Sequence, residues 1–303
     1  MSVHRIAHEG ASLEGANSTY VLPDRGVVID PGPPGETAWR TLRDGVGDIC
    51  GLDAVDHVVL THWHMDHAGL APRLAEAADA SLHLHESDAA LVGDYDQARK
   101  QRLARDEQQL ERWGVPSEIV AAVIDNDRSS SLPASFPTES HTDGEEIAGL
   151  QLIHTPGHTL GHAVFHTGRA LFLGDAVLPT YTPNVGGSDT RVENALTTYE
   201  RTLERLRGYD VTPYPGHGTD VSLPSRIDEI RDHHSTRTEN IRTIVADAGP
   251  VTPWEIATTL FGEMNGIHVK MGTGEVVAHL THLESMGNIE RVEATPLRVR
   301  LQP

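Results

Sequence analysis

His62, His64, Asp66 and His67 put four metal-ligating side chains into six residues, in the order H-x-H-x-D-H. The apolar run Val58, Val59 and Leu60 just before them reads as a buried strand, and Thr61 ends it. In a tight loop leaving a strand, alternate residues project the same way. His62 and His64 can then grip one cation while Asp66 and His67 turn toward a second. Imidazole and carboxylate together suit zinc and similar divalent ions. With 19 histidines in 303 residues, some clustering arises by chance. Chance does not explain the three further motifs downstream.

Leu150-Gln151-Leu152-Ile153 is strand-like and runs into Thr155-Pro156-Gly157-His158. Leu171-Phe172-Leu173-Gly174-Asp175 is an apolar strand with a carboxylate at its tip. Pro213-Tyr214-Pro215-Gly216-His217-Gly218 again sets one histidine on a turn of glycine and proline. Each motif alone is weak; four in this order, each ending a strand, point to a two-metal site.

On these residues the chain resembles the metallo-β-lactamase superfamily over roughly residues 15–222. The resemblance implies that His62, His64 and His158 bind a first metal, and that Asp66, His67 and His217 bind a second. Asp175 is then the carboxylate bridging both. It also implies a place for Asp30 behind a ligand histidine, although Asp30 reads equally well as a turn cap. With Asp66 present and Asp175 rather than Cys at the bridge, the set is more similar to the glyoxalase II and ribonuclease branches than to antibiotic-degrading lactamases.

These motifs need strands that end along one edge. The order strand, loop, helix predicts an α+β fold, an αβ/βα sandwich of two mixed sheets with helices outside. The catalytic domain is expected over residues 1–222, with an insertion at about 87–140. Residues 19–30 read as two short strands about a turn, 36–50 and 69–79 as helices, and 81–85 as a strand whose His83 and His85 are structural. Within the insertion, residues 94–113 form a polar helix bearing Arg99, Lys100, Arg102, Arg105 and Arg112. Acidic residues interleave it, so a solvated face is the default and a cap greeting an anionic substrate the functional alternative. Residues 129–140 are loop-like. The Gly/Pro-rich segment 179–190 should overhang the metals, and 194–206 has helical spacing.

Residues 223–303 read as a separate unit. A long helix carries Ile227, Ile230, Ile241, Ile244 and Val245, and a short one starts at Thr252-Pro253. A third spans 274–286, stopped by Gly287, and a hairpin comes after it. The pattern is winged-helix-like and also resembles the C-terminal domain of the β-lactamase-like ribonucleases. Residues 274–286 hold no Lys or Arg, which argues against base reading. Packing, substrate shaping or a homodimer contact suits this unit better.

Composition bounds the rest. Asp plus Glu is 44 against 24 Lys plus Arg, a net charge of −20, and Lys100 and Lys270 are the only lysines. Such a surface suits a salt-rich cytosol, hence a halophilic, haloarchaeal source; a GC-rich genome also favours arginine over lysine. At ~1 M salt the Debye length is ~3 Å, so net charge says little against nucleic acid there. No apolar stretch approaches the ~20 residues needed to span a bilayer, and the N-terminus lacks a secretion signal. Cys50, the single cysteine, excludes an internal disulfide and fits a cytoplasmic protein.

The expected chemistry is hydrolysis without a covalent intermediate. Two divalent ions, zinc above manganese or iron, share a water whose pKa falls toward ~7, and the bridging hydroxide attacks. Asp66 orients it or takes its proton, and Asp175 holds the pair. A nuclease acting on single-stranded RNA, exo- or endonucleolytic, is narrowly preferred. Arg99, Arg102, Arg105, Arg298 and Arg300 are then the candidate substrate-binding residues. The alternative is a thioesterase of the glyoxalase II (hydroxyacylglutathione hydrolase) type acting on a small thioester. The tail, however, lacks the basic helical lid that binds glutathione in that branch. The complete ligand set argues against a third reading, a non-catalytic nucleic-acid-binding protein.

Overall fold

The computed structural model describes residues 2–10, 15–127 and 132–302. Of the loop expected over 129–140, residues 129–131 lie outside the described residues. Two sheets dominate. The first runs in the order β1 (His4–His8), β2 (Asn17–Leu22), β3 (Val27–Ile29), β4 (His57–Val59), β5 (Ser81–His85) and β6 (Glu139–His141). Its first three strands are antiparallel neighbours, and β3 through β6 pair in parallel. The second runs β11 (Thr212–Pro215), β10 (Ala170–Gly174), β9 (Ala163–His166), β8 (Leu150–His154) and β7 (Glu146–Ile147). Only β10 and β11 are parallel in it.

Period-two alternation sorts the apolar residues into layers. Tyr20, Leu22, Val27, Ile29 and Val59 face inward against Leu150, Leu152, Phe165 and Phe172 of the second sheet. Their neighbours Val21, Val28, Val58, Leu82 and Leu84 face outward. That outer face is covered by α1 (Glu36–Ile49), α3 (Ala71–Ala78) and α4 (Glu86–Gly93), with the short α2 (Met65–Ala68) leading into α3. On the far side, Ile153, Val164, Leu171 and Leu173 pack on Leu196, Tyr199 and Leu203 of α7 (Ala195–Arg207). Ile227 and Ile230 of α8 (Leu223–Ala248) complete that layer. The result is the expected four-layer αβ/βα sandwich.

Besides α4, which opens it, the insertion holds α5 (Tyr95–Arg112) and α6 (Ser117–Asn126); only α5 was anticipated. The tail continues from α8 into α9 (Pro253–Phe261), α10 (Ile267–Ser285) and the hairpin β12 (Ile289–Ala294) and β13 (Leu297–Leu301). Thr252 caps α9 through a reciprocal pair. Glu255 N–H donates to Thr252 Oγ1 at 3.2 Å, and Thr252 N–H to Glu255 Oε2 at 2.8 Å. Tail and insertion share one core: Leu110, Trp113, Val120 and Val123 pack with Ile241, Val245, Val276, Leu280 and Val299.

Helix α10 begins at Ile267, seven residues before the expected start at 274. The sequence hid this because Gly272 and Gly274 read as breakers. They are there for close approach instead. A Cβ on Gly274 would lie 2.4 Å from Gly187 Cα, and one on Gly187 would lie 2.4 Å from Met271 Cα. The backbone of the 179–190 segment thus lies directly on α10.

Candidate metal centre

All seven expected ligands meet where the C-terminal ends of β4, β8, β10 and β11 converge. His62 Nε2 and His158 Nε2 each lie 3.0 Å from His64 Nδ1. His67 Nε2 and His217 Nε2 are 3.2 Å apart, and Asp66 Oδ2 is 3.6 Å from the former and 3.4 Å from the latter. Asp175 stands between the groups. Its Oδ1 is 3.3 Å from His67 Nε2, and its Oδ2 is 3.4 Å from His217 Nε2 and 3.7 Å from His158 Nε2. Ligands ~2.1 Å from a shared tetrahedral ion are spaced ~3.4 Å apart, so these separations fit two cations. Asp175 Oδ1 is buried with no hydrogen-bond partner. A buried carboxylate oxygen left so is costly unless a cation meets it.

The backbone brings the groups together by removing side chains. A Cβ on Gly216 would sit 2.3 Å from Asp175 Oδ1 and 2.8 Å from His67 Cε1, so the turn before His217 requires glycine. Asp30 does what the resemblance implied: its Oδ2 lies 3.0 Å from His67 Nδ1. It also accepts from Thr61 N–H at 2.8 Å and from Thr61 Oγ1 at 2.7 Å, which locks the carboxylate in place. Asp30 holds φ 49°, a left-handed conformation that Asp tolerates better than most residues.

Several supporting residues were not foreseen. Asn17 Nδ2 donates to Asp66 Oδ2 and to the Asp66 carbonyl, both at 3.0 Å. His162 Nε2 accepts the Asp175 N–H at 3.1 Å, while its Nδ1 faces Thr155 Oγ1 at 2.8 Å. Asn184 O lies 3.0 Å from His158 Nδ1, and Ser188 Oγ donates to the His158 carbonyl at 2.6 Å. The segment 179–190 therefore grips a candidate ligand histidine from its far side. One signal was legible: His162 directly precedes the apolar run Ala163-Val164-Phe165, one more histidine at a strand end.

The charge pattern divides the cluster. Burial holds His62 well below its ordinary value, with neighbouring His67 and His64 adding to the effect. Burial and His158 bring His64 down to about 3. Burial also opposes charge on His67 and His217, but Asp175 and Asp66 outweigh it. His67 is raised well above the usual imidazole range and His217 to about 10. His62 and His64 thus offer neutral imidazoles, and His67 and His217 gather positive charge against two carboxylates. A cation there would displace protons.

A cavity of about 570 Å³ opens onto His64, Asp66, His158 and Asp175. Trp63, Met65, Leu103, Val123, Ile124, Ile267 and Met271 supply its apolar wall, drawn from the metal loop, α5, α6 and α10. Of the two cluster carboxylates Asp66 is the more open, its side chain 30% exposed against 3% for Asp175.

The five candidate arginines do not gather around this opening. Arg102 lines the cavity but is held by Asp127 at 2.8 Å and Asp106 at 3.2 Å, its guanidinium 5.3 Å from the Trp63 ring centroid. Arg99 bonds to the Asp127 carbonyl. Arg105 lines a separate cavity of about 440 Å³ beside α10 and the hairpin. Arg298 pairs with Glu255 at 3.4 Å and Arg300 with Glu290 at 2.6 Å, and neither lines the opening. The single groove of arginines expected for a nucleic-acid strand is not formed. Sequence spacing could not reveal that acidic partners occupy Arg99, Arg102, Arg298 and Arg300.

A sandwich with a seven-ligand His/Asp cluster at one edge defines a metallo-hydrolase architecture. The chain belongs to the metallo-beta-lactamase superfamily, which residues 12–217 match. It is 30% identical over 285 residues to a probable metallo-hydrolase of Bacillus subtilis, covering 88% of this chain and 86% of that protein. A beta-lactamase-like protein 2 homolog of Drosophila melanogaster is 27% identical, over 76% of this chain and 68% of its own. Among solved structures, a metallo-beta-lactamase family protein of Thermus thermophilus superposes with TM-score 0.81 at 26% identity. That match covers 99% of this chain and 98% of the other. Among the described residues no helix is long and apolar enough to cross a membrane.

Proposed function

We propose that this protein is a binuclear metal-dependent hydrolase of small acyl substrates, a thioesterase that takes an apolar acyl chain. His62, His64 and His158 would hold one divalent ion, Asp66, His67 and His217 the other, with Asp175 shared. Zinc suits these donors best. When bound, such a pair supplies Lewis acidity and makes water acidic enough to attack at neutral pH.

The protein's own residues do the rest. Asp30 and Thr61 fix the His67 ring, and Asn17 fixes Asp66, so both face the cluster without searching for orientation. Asp66, ionised and open to the cavity, accepts a hydrogen bond from the attacking water and aligns it with the substrate carbonyl. Met65, Leu103 and Ile124 take up the acyl chain and exclude bulk water.

The observation that carries this reading is the apolar wall of the cavity, combined with the engagement of its one arginine. A polyanionic strand would need free guanidinium groups to fork onto phosphates. Those of Arg99, Arg102, Arg298 and Arg300 are already taken. The thioesterase alternative therefore moves ahead of the nuclease. The missing basic lid points away from glutathione as the carrier.

The test is a panel of acetyl, hexanoyl and S-lactoylglutathione thioesters beside labelled single-stranded RNA, all with zinc-loaded protein. Hexanoyl thioesters should be hydrolysed fastest and the RNA left intact. Cleavage of the RNA without thioester turnover would return the nuclease reading to first place.

A further inference from the structure

Two neighbouring strands of the first sheet place a second group of metal-type side chains away from the cluster. His83 lies on β5, and Glu139 and His141 lie on the edge strand β6, which pairs with β5 in parallel register. His83 Nδ1 is 3.1 Å from His141 Nε2 and 3.6 Å from Glu139 Oε2. Candidate ligand atoms of all three lie within 4.8 Å of one another. None of these residues belongs to the site at the strand ends.

The outer nitrogens of both rings also have acceptors. His57 Nδ1 lies 3.0 Å from His83 Nε2, so His83 can donate outward and keep a lone pair on Nδ1. Glu145 Oε2 lies 3.5 Å from His141 Nδ1, which frees His141 Nε2 in the same way. Metal-binding histidines are held in this manner, the far N–H donated to an acceptor that sets tautomer and ring angle. Burial, partly offset by Glu139, brings His83 down to about 4, so its ring is neutral near pH 7.

We propose that His83, Glu139 and His141 form a third cation site, of the zinc class, that ties β6 to β5. Two imidazoles and a carboxylate make three ligands, and the half-exposed Glu139 leaves a fourth position to water. The spacings of 3.1 and 3.6 Å bracket the ~3.4 Å of a tetrahedral ion. The site has a structural use. Strand β6 is where the chain returns from the insertion, it is three residues long, and among the described residues β5 is its one strand neighbour in the sheet. A cation across the two strands would anchor the returning insertion, whose helices wall the substrate cavity.

The experiment strips the full-length protein of metal, titrates it with zinc chloride alone, and counts retained ions per chain by mass spectrometry. It is run on the parent, Glu139→Gln, His141→Ala and Glu145→Gln. The parent should hold one ion more than His141→Ala, and zinc should raise the melting temperature of the parent more than that of the variant. Glu139→Gln and Glu145→Gln, changes at exposed side chains that leave the fold in place, should weaken that one ion by about 10-fold or more. Equal ion counts and equal zinc-induced shifts across parent and variants would overturn the site. Because the readout is a difference of one ion, it stands apart from the strand-end cluster. Failure of thioester turnover leaves it unchanged, and loss of this ion leaves the seven-ligand cluster intact.

Discussion

The carbonyl oxygen of Asn184 meets Nδ1 of His158 at 3.0 Å, while the Asn184 side chain donates to Met271 O at 3.2 Å and to Glu275 Oε2 at 3.3 Å. One residue thus links a candidate ligand histidine to helix α10, and through it the His/Asp cluster to the C-terminal unit. The link depends on the near contact of Gly187 with Gly274. Tail and catalytic sandwich are coupled at the site itself, because α10 also supplies Ile267 and Met271 to the cavity wall.

Gly274→Ala tests that coupling. Alanine favours a helix over glycine by ~1 kcal/mol, so propensity alone would stabilise α10. The new Cβ would nevertheless meet Gly187 backbone at 2.4 Å, and backbone cannot rotate away. Overpacking of this kind costs ~1–3 kcal/mol. The variant should melt lower and lose activity as the 179–190 segment lifts from His158. A variant that melts higher with parental turnover would show that the segment does not position the histidine.

Asp30→Asn should reduce zinc affinity or turnover by about 10- to 100-fold with little change in fold. Asparagine tolerates the φ of 49° and is nearly isosteric. It has one oxygen, however, whereas Asp30 offers Oδ1 to Thr61 N–H and Oδ2 to both Thr61 Oγ1 and His67 Nδ1. The amide N–H₂ would face a ring N–H. Steady-state kinetics together with zinc titration measure the loss, and parental values for both would remove Asp30 from the positioning of His67.

Asp175→Ala should abolish hydrolysis while the protein remains folded. Asp175 lies within 3.7 Å of ring nitrogens from both halves of the cluster, and without it two groups of imidazoles face each other with less negative charge between them. Metal analysis should find two ions at the parental strand-end cluster and fewer in the variant. Chelation should silence the parent, and added zinc should restore it. A variant retaining both ions and full turnover would exclude a bridging role.

The charge of −20 with two lysines predicts salt-dependent stability. Self-repulsion opposes a compact acidic body at low ionic strength, and at ~2 M KCl the Debye length falls below ~3 Å. The melting temperature should rise between dilute buffer and ~2 M KCl. An equal or lower value in salt would rule out adaptation to a saline cytosol.

The candidate ligand positions were legible because each rests on short-range information. A strand of apolar residues, a turn of glycine or proline and one metal-type side chain are all local, and the strand order that brings them to one edge follows from their sequence order. Strands β2 through β5 were likewise legible, as short runs bounded by turns, loops or helices. Short or partly polar elements escaped: β1, β7 and β9 are two to five residues long, and α6 lies in an insertion with no motif to mark it.

What only the tertiary structure decided are relations between segments far apart in the chain. Asn17 reaches Asp66 across 49 positions, and Lys270 meets Asp106 across 164 at 2.9 Å. No local pattern encodes such a pair, since it exists only once two elements have docked. The arginines show the same limit. Their number and spacing in α5 were plain in the sequence, but Asp127 and Asp106 hold Arg102 against Trp63. Local sequence determines which side chain can do chemistry; the docking of distant elements determines which partner it meets, and so whether its charge is left for a substrate.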